Sequence, residues 1–179
     1  ERYEAALGLY RAIPARLGEA NTLRALGDLE RMEDQYGAAR ERYEAALGLY
    51  RAIPARLGEA NTLKALGDLE VREAQYGAAR ERYEAALGLF RAIPDRLGEA
   101  NTLQALGDLE VREAQYGAAR ERYEAALGLF RAIPDRLGEA NTLKALGTLD
   151  QVESDLEGAG QNFAAAGELY AAMGLGRDQ

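Results

Sequence analysis

The chain has no cysteine, no histidine and no tryptophan, and only four prolines among its 179 residues. Without thiol or imidazole groups there is no nucleophile of that kind, no imidazole acid–base pair, no zinc-finger ligation and no His- or Cys-bound haem. The lack of cysteine excludes a disulfide-stapled scaffold but does not identify a compartment. No apolar run approaches a membrane span, and the first residues are charged rather than signal-like. The only serine, Ser154, has no base to activate it, and Gly and Lys never assemble into a phosphate-binding loop. Basic residues number 22 against 30 acidic ones, a net charge of −8. An acidic body without a basic stripe argues against nucleic acid and against anionic membrane surfaces. Carboxylate pairs are abundant, but they recur in every copy of a repeat, as a surface does and an active site does not. No enzyme, catalytic residue, cofactor or metal site is expected.

What the chain does have is repetition. Ile13-Pro14-Ala15-Arg16-Leu17-Gly18-Glu19-Ala20-Asn21-Thr22-Leu23 returns with Pro54, Pro94 and Pro134. The copies starting at Glu1 and Glu41 differ only at Arg24/Lys64, Arg31/Val71, Met32/Arg72 and Asp34/Ala74. A period of this size marks a solenoid, whose units bury their apolar faces against their neighbours. Beginning in mid-repeat, the chain reads as a piece of something longer, with a cytoplasmic setting expected.

Each copy reads as two helices. Pro54 suits a first helical turn, and in two copies Asp95 and Asp135 follow the proline, where a carboxylate complements the helix dipole. Leu57, Ala60, Leu63, Leu66-Gly67 and Leu69 then run at helical spacing. A second stripe is Tyr76, Ala79, Tyr83, Ala86-Leu87 and Phe90, and Ile93-Pro94 breaks it. Short connections make successive helices antiparallel neighbours. Helix A is expected at about 15–33, 55–73, 95–113 and 135–153, and helix B at about 37–52, 77–92, 117–132 and 157–173. An unpaired helix B at about 1–12 precedes them and a tail at about 174–179 follows, in one repeat array over the whole chain. Gly27, Gly67, Gly107 and Gly147 lie on the apolar stripe and suit close approach of helix B. For Gly48, Gly88 and Gly128 the only account is tight packing.

Leu66-Gly67 followed by Tyr76, Ala79, Tyr83 and Ala86 resembles the signature of the tetratricopeptide repeats, in register in all four copies. Leu156 replaces the first aromatic and Phe163 the second in the last copy. The forty-residue length with its Asp95-to-Ala100 lead-in is similar to the long variant of kinesin light chains and cell-polarity adaptors. The resemblance implies an all-α fold, a right-handed α–α superhelix of antiparallel helix pairs. There are departures from the pattern. The usual aromatic after the Leu-Gly pair is Glu30, Glu70, Glu110 or Asp150, and the usual inter-helix glycine is Asp34, Ala74, Ala114 or Ser154. Carboxylates on the A–B face need partners. Arg40, Arg80 and Arg120 are the candidates, with Gly160 where Asp150 shortens the acid.

In such arrays the free face of helix A lines a concave groove for extended or helical peptides. On this chain that face carries Asn21, Arg24 and Asp28 in the first copy, and Asn61, Lys64, Asp68 and Arg72 in the second. Asn101, Gln104, Asp108 and Arg112 follow in the third, and Asn141 and Lys144 in the fourth. Arg31, Met32, Val71, Val111, Thr148, Gln151 and Val152 complete it. The asparagine row suits peptide backbone, because an amide bonds both donors and acceptors. Arg24–Asp28 and Lys64–Asp68 stand at i,i+4 and can simply pair. Three of the four differences between the first two copies fall on this face, whereas the run Glu41-Arg42-Tyr43-Glu44 is the same in the copies starting at Glu1, Glu41, Glu81 and Glu121. The aromatics recur at core spacing and read as core.

The expected function is therefore a protein- or peptide-binding adaptor. The second reading is a structural spacer or self-associating rod, a homodimer or end-to-end stack. There helix B at 1–12 would offer Tyr3, Leu7 and Tyr10 without its partner helix.

Overall fold

The structure, a computed structural model, describes residues 2–12 and 15–175. Pro14 and the end of the expected tail, 176–179, lie outside the described residues. Within them the chain forms nine α-helices and no strand. These are α1 (Arg2–Ala12), α2 (Arg16–Met32), α3 (Tyr36–Ala52), α4 (Arg56–Arg72) and α5 (Tyr76–Ala92). The remainder are α6 (Arg96–Arg112), α7 (Tyr116–Ala132), α8 (Arg136–Val152) and α9 (Leu156–Ala172). Two compact units contain them, Glu1–Pro94 with α1 to α5 and Asp95–Gln179 with α6 to α9.

The helix ends follow from local chemistry. Pro54, Pro94 and Pro134 do not occupy a first helical turn; each sits in the connecting turn, two residues before its helix begins. The residue after each proline is the N-cap. Asp95 and Asp135 there accept the N–H of Gly98 and Gly138 at 3.0 Å, as Asp155 does from Gly158. Ala15 and Ala55 at the same position have no side-chain bond to give. Installing the missing oxygen with Ala55→Asp should therefore raise stability by about 1 kcal/mol. A chemical melt of that variant checks it. The tight A–B corner needs a left-handed residue. Ala74 adopts φ 58°, which lets the N–H of Gln75 donate to the Glu70 carbonyl at 2.8 Å.

In the first unit one cluster of buried side chains joins Tyr43 and Leu47 of α3 to Leu63, Leu66 and Leu69 of α4 and Phe90 of α5. A second joins Leu7 of α1 to Leu23 and Leu26 of α2 and Tyr50 of α3. Leu7 is thus buried, and Tyr10 rests against Gly18, so α1 is less bare than its sequence suggests. Tyr3 and Leu9 are what it leaves open, at 46% and 68% exposure. In the second unit Tyr123 and Leu127 of α7 pack against Leu143, Leu146 and Leu149 of α8 and Ala166 of α9. Leu57 and its equivalents open the expected stripe yet stay half exposed, because they precede the packed part of helix A.

The glycines divide into two sorts. A methyl on Gly27, Gly67 or Gly107 would come within 2.6–2.7 Å of the ring of Tyr43, Tyr83 or Tyr123, so helix B approaches there as expected. Gly48, Gly88 and Gly128 contradict the tight-packing account: each is exposed, with nothing within 4 Å of where a methyl would stand.

Candidate functional site

The free face of helix A is shaped by what helix B does behind it. Tyr43, Tyr83 and Tyr123 are core residues whose hydroxyls emerge beside the aspartates of that face. Each donates to one of them: Asp28 at 2.8 Å, Asp68 at 2.8 Å and Asp108 at 2.7 Å. Burial and the adjacent carboxylate push the Tyr43 and Tyr123 hydroxyls well above the usual tyrosine range. A pKa raised by folding means that this stability is complete below the unfolded value of about 10 and is lost as pH rises above it. The hydroxyls are therefore fixed donors at neutral pH. The fourth copy supports the pairing, because Phe163 loses the hydroxyl where Thr148 replaces the aspartate. The aspartates belong to the wall as much as to its surface.

In the first unit most of the remaining charges are also engaged. Arg24 pairs with Asp28 at 3.2 Å and Lys64 with Asp68 at 3.1 Å. Arg72 stacks over the ring of Tyr36, 5.5 Å from its centroid, and donates to its hydroxyl at 3.2 Å. Asn21 accepts the Tyr50 hydroxyl at 2.7 Å. Asn61 is half-buried and makes no hydrogen bond among the described residues.

The second unit brings Gln104, Asp108 and Arg112 of α6 together with Asn141 and Lys144 of α8 around a cavity of about 440 Å³. Val111, Leu149 and Val152 supply its apolar part. Thr148 replaces the acid one turn beyond Lys144 and donates instead to the Lys144 carbonyl at 3.0 Å. Lys144 consequently has no ion pair among the described residues, and Arg112 has none either. Asn141 accepts the Tyr170 hydroxyl at 2.7 Å, while Asn101 stands exposed on α6 without a bond.

The carboxylates on the A–B face find partners in a different register from the expected one. Arg40 does not hold Glu30 of its own copy; it reaches Glu70 of the next at 3.4 Å and Glu73 at 2.7 Å. Arg120 reaches Asp150 at 2.6 Å and also bonds Glu153. These two acids hold the Arg120 guanidinium above its ordinary pKa. The partner within the same helical hairpin is two residues further on: Arg42 for Glu30 at 3.2 Å, Arg82 for Glu70 at 3.3 Å and Arg122 for Glu110 at 3.3 Å. Arg82 also reaches back to Glu44 at 2.8 Å. Asp150 keeps an arginine after all and adds Asn162 at 2.7 Å, which stands where the other copies have arginine. That substitution was the signal in the sequence for the true register. This network lies between hairpins and leaves the cavity face to the asparagines and the two uncommitted cations. Among the described residues no cluster suited to a metal ion occurs, and no helix is long and apolar enough to cross a membrane.

A family model described as Tetratricopeptide repeat matches residues 58–132. No curated protein matches the chain. The crystal structure of BtubC (BKLC) from P. vanneervenii is similar at a TM-score of 0.76 and 20% identity, covering 97% of this chain and 81% of that one. Aspartyl phosphate phosphatase F from Bacillus subtilis is similar at a TM-score of 0.85 and 12% identity, over 89% of this chain. The chain spans 42% of the length of that second protein. At these identities the likeness defines the fold, that of helical-hairpin repeat proteins.

Proposed function

We propose that this array of tetratricopeptide repeats, a protein-interaction module by family, holds an extended peptide on the free face of its A helices. The observation that carries the reading is the cavity between α6 and α8. Two cations without acidic partners, Arg112 and Lys144, stand there beside amide side chains and an apolar floor. Such a surface suits a peptide with an acidic side chain near an apolar one, backbone hydrogen bonds being taken by the amides. The aspartates of the row, each bonded by a tyrosine hydroxyl and two of them also paired with an intrahelical cation, oppose this less than their charge suggests.

The test is selection of a displayed library of random peptides on the wild-type protein, followed by affinity measurement on the variants. Enrichment of peptides with acidic residues is the expected result. Lys144→Glu should weaken the selected peptide by about tenfold at low salt, with circular dichroism unchanged. Lys64→Glu, whose native charge is already spent on Asp68, should cost the peptide much less. Equal losses from the two reversals, or none from either, would place binding elsewhere.

A further inference from the structure

We infer that one position at the end of helix B, filled by Tyr50, Phe90, Phe130 and Tyr170, decides which asparagines can read both halves of a peptide bond. In each unit one asparagine of the helix A row is held by a tyrosine hydroxyl and the other is free. The inference rests on the peptide-binding reading above and names the side chains that grip the backbone.

An asparagine amide carries one carbonyl acceptor and two N–H donors. To clasp a peptide unit at its C=O and its N–H together, it must present oxygen and nitrogen to the same partner. In the first unit the oxygen of Asn21 faces the Tyr50 hydroxyl at 2.7 Å, which fixes the amide and leaves its NH2 group outward. In the second unit Tyr170 does the same to Asn141, also at 2.7 Å. These two asparagines are therefore preset donors that recognise carbonyls. The residue 29 positions beyond Asn61 is Phe90, and the residue 29 positions beyond Asn101 is Phe130. Both phenylalanines are as buried as Tyr50, so the core keeps its ring while the hydroxyl is gone. Asn61 and Asn101 accordingly have no hydrogen bond among the described residues and can turn both amide atoms toward a ligand. Tyr50 and Tyr170 are positioning residues, acting through Asn21 and Asn141. A plain core exchange of tyrosine for phenylalanine would leave ligand recognition untouched, and this is what the experiment separates.

The probe is a peptide selected on the wild-type protein, together with analogues in which each peptide bond in turn becomes an ester, deleting its N–H. With wild type, the ester at a clasped position should weaken binding roughly three- to tenfold. That sensitivity should vanish in Asn61→Ala or Asn101→Ala. In the double variant Phe90→Tyr, Phe130→Tyr the new hydroxyls take the asparagine oxygens. The thermal midpoint should hold or rise, while affinity falls and the ester effect disappears. An unchanged ester profile and affinity in that variant, or a profile that follows Asn21→Ala, overturns the inference and leaves the binding reading standing. A selection that yields no peptide overturns both. Without any ligand, side-chain amide relaxation should find Asn21 and Asn141 more rigid than Asn61 and Asn101; equal rigidity would also overturn it.

Discussion

Glu70→Gln should destabilise the protein by about 2 kcal/mol, one of the largest effects of any single polar change in the chain. The carboxylate is 2% exposed and lies between Arg40 at 3.4 Å and Arg82 at 3.3 Å, one from each neighbouring B helix. Stripping one partner from a buried ion pair commonly costs about 3–5 kcal/mol, because the other charge is left buried and alone. Here each arginine keeps a second acid, Glu73 at 2.7 Å or Glu44 at 2.8 Å, so the loss falls below that range. Glu44→Gln removes an exposed partner and should cost less than about 1 kcal/mol. Urea melts of the two variants decide the matter. Equal midpoints would mean that the buried acid contributes no more than a surface one.

A second large effect comes from one substitution made at two places in the same hairpin. Gly67→Ala adds a methyl 2.7 Å from the Tyr83 ring, which is buried and tethered by its hydroxyl to Asp68. The ring cannot retreat without breaking that bond, so overpacking of about 1–3 kcal/mol should exceed the helix-propensity gain. Gly88→Ala on the facing helix adds its methyl to open solvent. There only the propensity term acts, and stability should rise by about 1 kcal/mol. Thermal midpoints moving in opposite directions are the expected result. A gain at both positions would mean that helix B does not rest on the glycine at all.

The repeat and its two helices could be read from the sequence because period and apolar spacing are one-dimensional properties. The aromatic rings over Gly27, Gly67 and Gly107 were legible for the same reason: a glycine between leucines on the buried stripe asks for a neighbour. Which arginine meets which glutamate was not. Arg40 and Arg42 are almost equally far along the chain from Glu30, and only folding shows that Arg40 points to the following copy. The asparagine row was found on helix A by angular position, but its division into held and free members depends on hydroxyls reaching across from helix B. Nothing in the aspartates' own helix reveals the tyrosine behind them. The paired change to Thr148 and Phe163 was the one hint.

The split allegiance of Glu70, shared between Arg82 of its own hairpin and Arg40 of the hairpin before, sets how such a protein can change length. Removing residues 41–80 as a block would leave Arg40 followed by a copy whose acid, Glu110, occupies the Glu70 position, and the same arginine row would follow it. Excising only one hairpin's worth of any other size would strand an arginine on one side of the seam and an acid on the other. Growth or trimming is thus quantised in whole copies, whatever the point at which the cut is made.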